Sequence, residues 1–195
     1  MEISINRAAE IGAGDRYSSQ LLNSPEVLRT AARVDLYEPN DIFHQSLADA
    51  VVGHSNVNLY GFGVSDISYE GTLYTFGYAS YLAGSPSFLS LSVEPNSDVT
   101  HWAALRQPVS IVDIKTVEAE GEIDLLVLTC GGVEVEILER MISRPKEIYT
   151  KHYCHNAKHW AEANKIFEWM RLNGYTGTLL KTNTYQTFMS FKWTC

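Results

Sequence analysis

Residues 7–15 read Arg7-Ala-Ala-Glu-Ile-Gly-Ala-Gly-Asp15, and this stretch decides the fold. A short apolar run stops at Gly12 and Gly14. A helical segment is expected from about Tyr17 to Arg33, interrupted at Pro25, which lacks a backbone donor. A strand that ends in glycines and opens a helix lets backbone N–H groups approach a polar or anionic ligand closely. The second strand, Val34-Asp-Leu-Tyr-Glu38, stops at Pro39, and Asn40 or Asp41 is placed to cap the next helix. Glu38 lies 24 positions beyond Gly14, close to the roughly 20 at which an acidic residue reaches ribose hydroxyls in such a unit. A nucleoside-containing cofactor is therefore expected here. The bland alternative is a tight turn beside a surface glutamate.

The residues around the loop discriminate between cofactors. A dinucleotide fingerprint needs a third glycine at position 17, which is Tyr. Glu10 adds a carboxylate at the strand end, which would repel a pyrophosphate but attract an ammonium group. S-adenosylmethionine carries an ammonium and a ribose and no phosphate. It is the expected cofactor, with Glu10, Gly12, Ala13, Gly14, Tyr17 and Glu38 as its candidate contacts. A nicotinamide-dependent oxidoreductase is the weaker alternative.

Outward from the loop, apolar runs alternate with helical segments, which argues for a parallel sheet with crossover helices. Ile42, Phe43, Leu47, Ala50 and Val51 give one apolar helix face. A third strand fits Val57–Gly61, with a continuation ending near Asp66. Residues 67–117 break the regularity and read as a hairpin followed by an irregular insertion that includes Gly84-Ser-Pro86 and Val93-Glu-Pro95. The run Ile123–Thr129 reads as a strand buried on both faces. A helix over Val133–Ser143, a strand Glu147–Thr150 and a helix from Ala157 to Asn173 follow, the last closed by Gly174. Strands at Gly177–Lys181 and Thr187–Trp193, turning at Asn183, must pair antiparallel. The expectation is a single α/β domain over 1–195. Its Rossmann-like sheet is mostly parallel and seven-stranded, with an antiparallel C-terminal hairpin and helices on both faces.

The bulk numbers are consistent with this. The chain has 195 residues, 45% of them hydrophobic and 19% charged, which suits one globular domain. Its 23 acidic against 15 basic residues give a formal charge of −8, unfavourable for a phosphate backbone, so no nucleic-acid partner is expected. No run is long and apolar enough for a membrane span, and the first residues do not read as a signal peptide. Cys130, Cys154 and Cys195 form no CxxC pair, which reads as reduced thiols in a cytoplasmic protein. The oligomeric state is open.

Several motifs together resemble the class I methyltransferases. Glu10-Ile-Gly-Ala-Gly14 looks like their first motif, Leu36-Tyr-Glu38-Pro-Asn40 like their second, and Val64-Ser65-Asp66 sits where their adenine-facing turn falls, so the resemblance implies Pro39, Ser65 and Asp66 as further cofactor contacts. Ile123-Asp-Leu-Leu-Val-Leu-Thr-Cys-Gly-Gly-Val-Glu134 narrows the resemblance to the FkbM-like family, whose pattern here is "iDlLKIDvEGaE". Val109–Val117 and Ile166–Tyr175 fit the same family. Arg16 stands at the third glycine, and Thr129 and Gly131 replace the family's acidic pair, leaving Gly132 and Glu134. The resemblance implies methyl transfer to oxygen of a small molecule or glycan. A non-catalytic cofactor-binding module is the alternative that Thr129 and Gly131 raise.

Methyl transfer needs mainly alignment of donor and acceptor. A hydroxyl acceptor also needs a base within reach, for which Glu134, His152 and His155 are the candidates, each with a packing or rim role as its rival. His152, Cys154, His155 and His159 space as H-x-C-H-x3-H, but no second ligand pair is evident and no metal is expected.

Overall fold

The computed structural model describes residues 4–76, 79–82, 105–130, 132–153, 157–182 and 188–195. The proposed Gly84–Pro86 and Val93–Pro95 stretches, Gly131, Cys154, His155 and the turn at Asn183 lie outside the described residues.

Strand β8 (Leu125–Leu128) explains the architecture best, because all four of its apolar residues are buried. Side chains alternate across a strand, so it must be covered on both faces. Parallel neighbours flank it: β1 (Arg7–Ile11) on one side and β9 (Glu147–Tyr153) on the other. Outside β1 follow β2 (Arg33–Tyr37) and β3 (Val57–Tyr60), both parallel. Outside β9 lies β11 (Phe188–Thr194), antiparallel, and then β10 (Thr176–Thr182) at the edge. The seven strands therefore run β10-β11-β9-β8-β1-β2-β3. The expected C-terminal hairpin is present, and its second strand slots between β9 and the first.

The two faces carry separate cores. Ala8, Val34, Leu36, Leu125 and Val127 pack with Leu21, with Val27 of α1 (Pro25–Thr30) and with Phe43 and Leu47 of α2 (Asp41–Val51). Ala9, Ile11, Leu126, Leu128 and Ile148 face the other way. They pack against Ile114 and Val117 of α3 (Ile114–Glu118), Ile137 and Leu138 of α4 (Glu134–Arg140), and Ile166 and Met170 of α5 (Ala157–Leu172). Burying each large aliphatic contributes about 1.5–3 kcal/mol, so these two layers dominate stability. No helix among the described residues is long and apolar enough to cross a membrane.

Several expectations change. Residues 105–118 of the expected irregular insertion form a regular strand and the helix α3. The helix expected from Tyr17 to Arg33 is a run of turns over 15–23 followed by the short α1. Side chains compete with the helix there. Glu10 accepts from Gln20 N and Leu21 N at 2.8 and 3.0 Å, and the Asn23 amide donates to the carbonyls of Arg16, Tyr17 and Ser19. The third strand also does not continue to Asp66. After β3 the chain leaves the main sheet, and β4 (Gly63–Ser65) joins a second sheet with β5 (Tyr69–Phe76), β6 (Ala79–Leu82) and β7 (Leu105–Asp113), in the order β4-β7-β5-β6. Gly63 allows the crossing, since a Cβ there would lie 2.6 Å from the Ile111 side chain of β7.

The edge strand is held by a similar fit. Gly177 pairs with Trp193, and a Cβ at Gly177 would come within 2.4 Å of the indole. That ring is buried and donates its Nε1–H to Thr150 Oγ1 at 3.0 Å, so it has no easy retreat. Gly177→Ala is expected to cost about 1–3 kcal/mol through overpacking. Urea unfolding measures it, and a loss under about 0.5 kcal/mol, the level of an ordinary surface substitution, would refute the wedge.

Candidate functional site

The loop Gly12–Asp15 is fixed to two strand ends. Gly12 N and Ala13 N both donate to Tyr37 O of β2, at 2.9 and 3.2 Å. From β8, the Thr129 hydroxyl donates to Gly12 O at 2.6 Å. The backbone passes so close that a Cβ on Gly12, whose φ is +82°, would sit 2.7 Å from Thr129 O. Gly14 is also left-handed, at φ +65°. Only glycine takes such conformations without strain.

Glu38 closes the other side. Its Oε2 accepts from Gly14 N at 2.7 Å and its Oε1 from Asn40 N at 2.8 Å. The side chain is nearly buried, and burial pushes its carboxyl above the ordinary range while those two bonds pull it back. A carboxylate offers about four lone-pair positions, so two remain for hydroxyl donors. His44 Nε2 lies 2.5 Å from Glu38 O, and the Asn40 side chain caps α2 at Ile42 N. Gln107 of β7 reaches across from the second sheet, its amide donating to Pro39 O at 2.5 Å and its carbonyl 3.4 Å from Asp41 N. Nothing in the local sequence marks Gln107 as a partner of Pro39. Its signal is tertiary.

A glycine turn on β1, an acidic residue ending β2 and a strand order with one inverted strand now stand together. A crystal structure of methyltransferase FkbM from Methylobacillus flagellatus KT superposes on the chain with a TM-score of 0.63 at 11% identity, covering 100% of this chain and 45% of that one. This is the methyltransferase fold. A precorrin-6y C5,15-methyltransferase from Geobacter metallireducens GS-15 matches with a TM-score of 0.52 at 13% identity, over 100% of this chain and 82% of that one. A ribosomal protein L11 methylase from Lactobacillus delbrueckii subsp. bulgaricus matches at 0.50 and 10% identity, over 98% and 71%. The chain thus spans less than half the length of the FkbM structure. No protein-family model and no curated protein matches the sequence.

The other candidates fall in distinct places within this methyltransferase fold. Glu10 is fully buried and turned into the protein. It accepts from the Ser19 hydroxyl at 2.6 Å, Gln20 N at 2.8 Å and Leu21 N at 3.0 Å, so it fastens the turns that follow the loop. Tyr17, on those turns, is 74% exposed, with the Arg16 guanidinium 4.5 Å from its ring centre. The Ser65 hydroxyl donates to Asp66 at 2.9 Å at the end of β4, and Asp66 is close enough to help raise Glu136 of α4. Glu134 opens α4, nearly buried, and accepts from Gly132 N at 2.7 Å. His152 is buried near the end of β9, its Nε2 2.8 Å from Thr150 Oγ1 and its ring edge-on to Phe167 at 5.2 Å. The structure thus joins the glycine loop, Glu38, Pro39 and Thr129 in one hydrogen-bonded frame. It sets His152 in an aromatic layer under α5. Among the described residues no group of three metal-binding side chains assembles.

Two of these groups give the protein opposed pH responses. Burial lifts Glu10 from its ordinary 4.5 to about 7, and burial drops His152 from 6.5 to about 4. Glu10's contribution to stability is complete below 4.5 and lost as pH rises through 7. That of His152 is complete above 6.5 and lost as pH falls through 4. Each amounts to about 3 kcal/mol at full extent, so they largely cancel between the two ordinary values. Thermal melts of His152→Phe should fall as pH rises across that window. Those of Glu10→Gln, isosteric with the protonated acid, should rise. Parallel slopes in the two variants would contradict the assignment.

Proposed function

We propose that the chain is an S-adenosylmethionine-dependent methyltransferase acting on a hydroxyl oxygen of a small molecule or glycan, with residues 1–195 working as one unit in the cytoplasm. The observation that carries the reading is the bond between Gly14 N and the Glu38 carboxylate at the head of the sheet. It fits a nucleoside whose ribose hydroxyls donate to the remaining Glu38 lone pairs. It does not fit a pyrophosphate, which would need the same N–H and meet a carboxylate beside it. That argues against a nicotinamide cofactor.

The residues that would hold the cofactor are Gly12, Ala13 and Gly14 by close backbone approach, Glu38 at the ribose, Tyr17 at the rim, and Pro39, Ser65 and Asp66 toward the base. When bound, it supplies an activated methyl group, and the protein's share is alignment and exclusion of water. Glu10 contributes by holding the 19–21 backbone still. Of the two candidate bases among the described residues, Glu134 is the better placed, since His152 is packed among Phe167 and Phe191.

Isothermal titration with S-adenosylmethionine tests the reading. Saturable binding is expected, weakened at least tenfold in Glu38→Ala. No binding at millimolar ligand would sink it. A second reading, cofactor binding without turnover, is favoured by Thr129, whose hydroxyl is committed to Gly12 O where the family places an acid. Release of S-adenosylhomocysteine with any hydroxylated acceptor would discard it.

A further inference from the structure

Beside the loop, on the face of the main sheet that α1 covers only in part, lies a cleft of about 490 Å³. Tyr17, Gln20 and Ser24 form one wall, Leu125 and Val127 of β8 with Thr129 just beyond it the floor, and Tyr149, Lys151 and Ser190 the other wall. The outer strands make this face cationic. Ser190 lies directly opposite Lys151 on β9 and opposite Lys181 on β10, and Lys192 lies opposite Tyr149 and Thr178. Directly opposite residues share a face, so three lysines gather here. Glu147 on β9 is bound to Lys192 at 2.7 Å. Such a patch stands out on a chain of formal charge −8.

The rest of the lining narrows the ligand. Two tyrosine rings offer stacking surface for the C–H face of a sugar, and Gln20, Ser24 and Ser190 bring groups suited to hydroxyls. The volume is that of a small-molecule site, not of a macromolecular groove. Lysine binds phosphate as a point charge. We propose that this cleft binds a small hydroxylated anion of the sugar-phosphate class, its phosphate at Lys151 and its sugar between Tyr17 and Tyr149. Thr129 belongs both to the cleft and to the loop's frame, so a ligand anchored at Lys151 extends toward the cofactor end of β8. Its identity as the methyl acceptor rests on the proposed function, whereas binding itself does not.

The test is a titration of the isotopically labelled full chain with glucose 6-phosphate, glucose and inorganic phosphate, followed by amide shifts. Glucose 6-phosphate should bind saturably and move residues 149–151 and Ser190. Glucose and phosphate alone should each bind at least tenfold more weakly, and added salt should weaken the complex. Lys151→Gln should weaken it at least tenfold while leaving S-adenosylmethionine binding unchanged, with far-UV circular dichroism as the folding control. Absence of saturation at about 20 mM, well beyond millimolar affinity, would overturn the proposal. So would binding unaffected by Lys151→Gln, shifts confined to Gly12–Gly14, or shifts that follow protein concentration alone, which would mean that a second copy covers the face.

Discussion

Asp35→Ala should lose about 3–5 kcal/mol, a large part of the roughly 5–15 kcal/mol that holds a typical domain folded. The Asp35 side chain is fully buried between two arginines. Arg7 Nε donates to Oδ2 at 2.7 Å, Arg33 Nε to Oδ1 at 2.8 Å, and the Asn58 amide to Oδ1 at 3.0 Å. Arg7 is itself buried, and its other nitrogens reach Val117 O at 2.8 Å, Gly121 O at 2.7 Å and the Tyr37 hydroxyl. Removing the carboxylate leaves a guanidinium in the interior with no counter-charge. Arg33 keeps Glu120 as a partner at the surface, so Arg7 carries the penalty. At about 2–4 °C per kcal/mol for a chain of this size, the melting temperature should fall by about 6–20 °C. Replacing Arg7 by Met and Asp35 by Leu together should recover much of the loss, because the pair as a whole brings less stability than its disruption costs. A single variant within 1 kcal/mol of the parent would show that water reaches Arg7.

Gly12→Ala is the second large effect, and it bears on the site. A methyl group there meets the Thr129 carbonyl and the Cys130 Cα, both backbone, at 2.7 and 2.8 Å, in a conformation that L-residues rarely take. Either β1 and β8 part at their carboxyl ends or the loop rebuilds. The first outcome breaks Thr129 Oγ1 to Gly12 O. The second moves Gly14 N away from Glu38. Both dismantle the frame proposed to hold the cofactor, so S-adenosylmethionine affinity should fall at least a hundredfold and stability by about 2–4 kcal/mol. Thr129→Val, which deletes one hydrogen bond at nearly constant shape, should cost only about 1 kcal/mol. Equal affinity in Gly12→Ala and the parent would mean that the ligand does not approach this loop.

What was readable in advance was local or periodic. Gly12, Gly14 and Glu38 are visible because a left-handed turn and a strand-end acid leave short-range marks. The four buried residues of β8 are visible because a strand covered on both faces must be apolar throughout. The errors arose where side chains or distant strands override the local pattern. Glu10 takes the Gln20 and Leu21 N–H groups and Asn23 takes carbonyls that a helix from Tyr17 would need. Strand β4 pairs with β7, some fifty residues on, instead of prolonging β3. His152 shows a subtler limit. Strand β9 runs to Tyr153 instead of ending at Thr150, and alternation from the buried Ile148 and Thr150 carries His152 to the same inner face. Gln107 and Pro39, 68 residues apart, join only when the second sheet docks on the first.

The position of β11 between β9 and β10 governs the order in which the chain is completed. During synthesis β10 emerges first, yet among the described strands its neighbour in the sheet is β11. Until that later strand arrives, β9 is an open edge and β10 has nothing to pair with, a state in which strands associate with other chains. Residues 188–194 then close two ladders at once, joining β9 and β10 in one step. The cationic cleft cannot exist before it, because Ser190 and Lys192 arrive with β11.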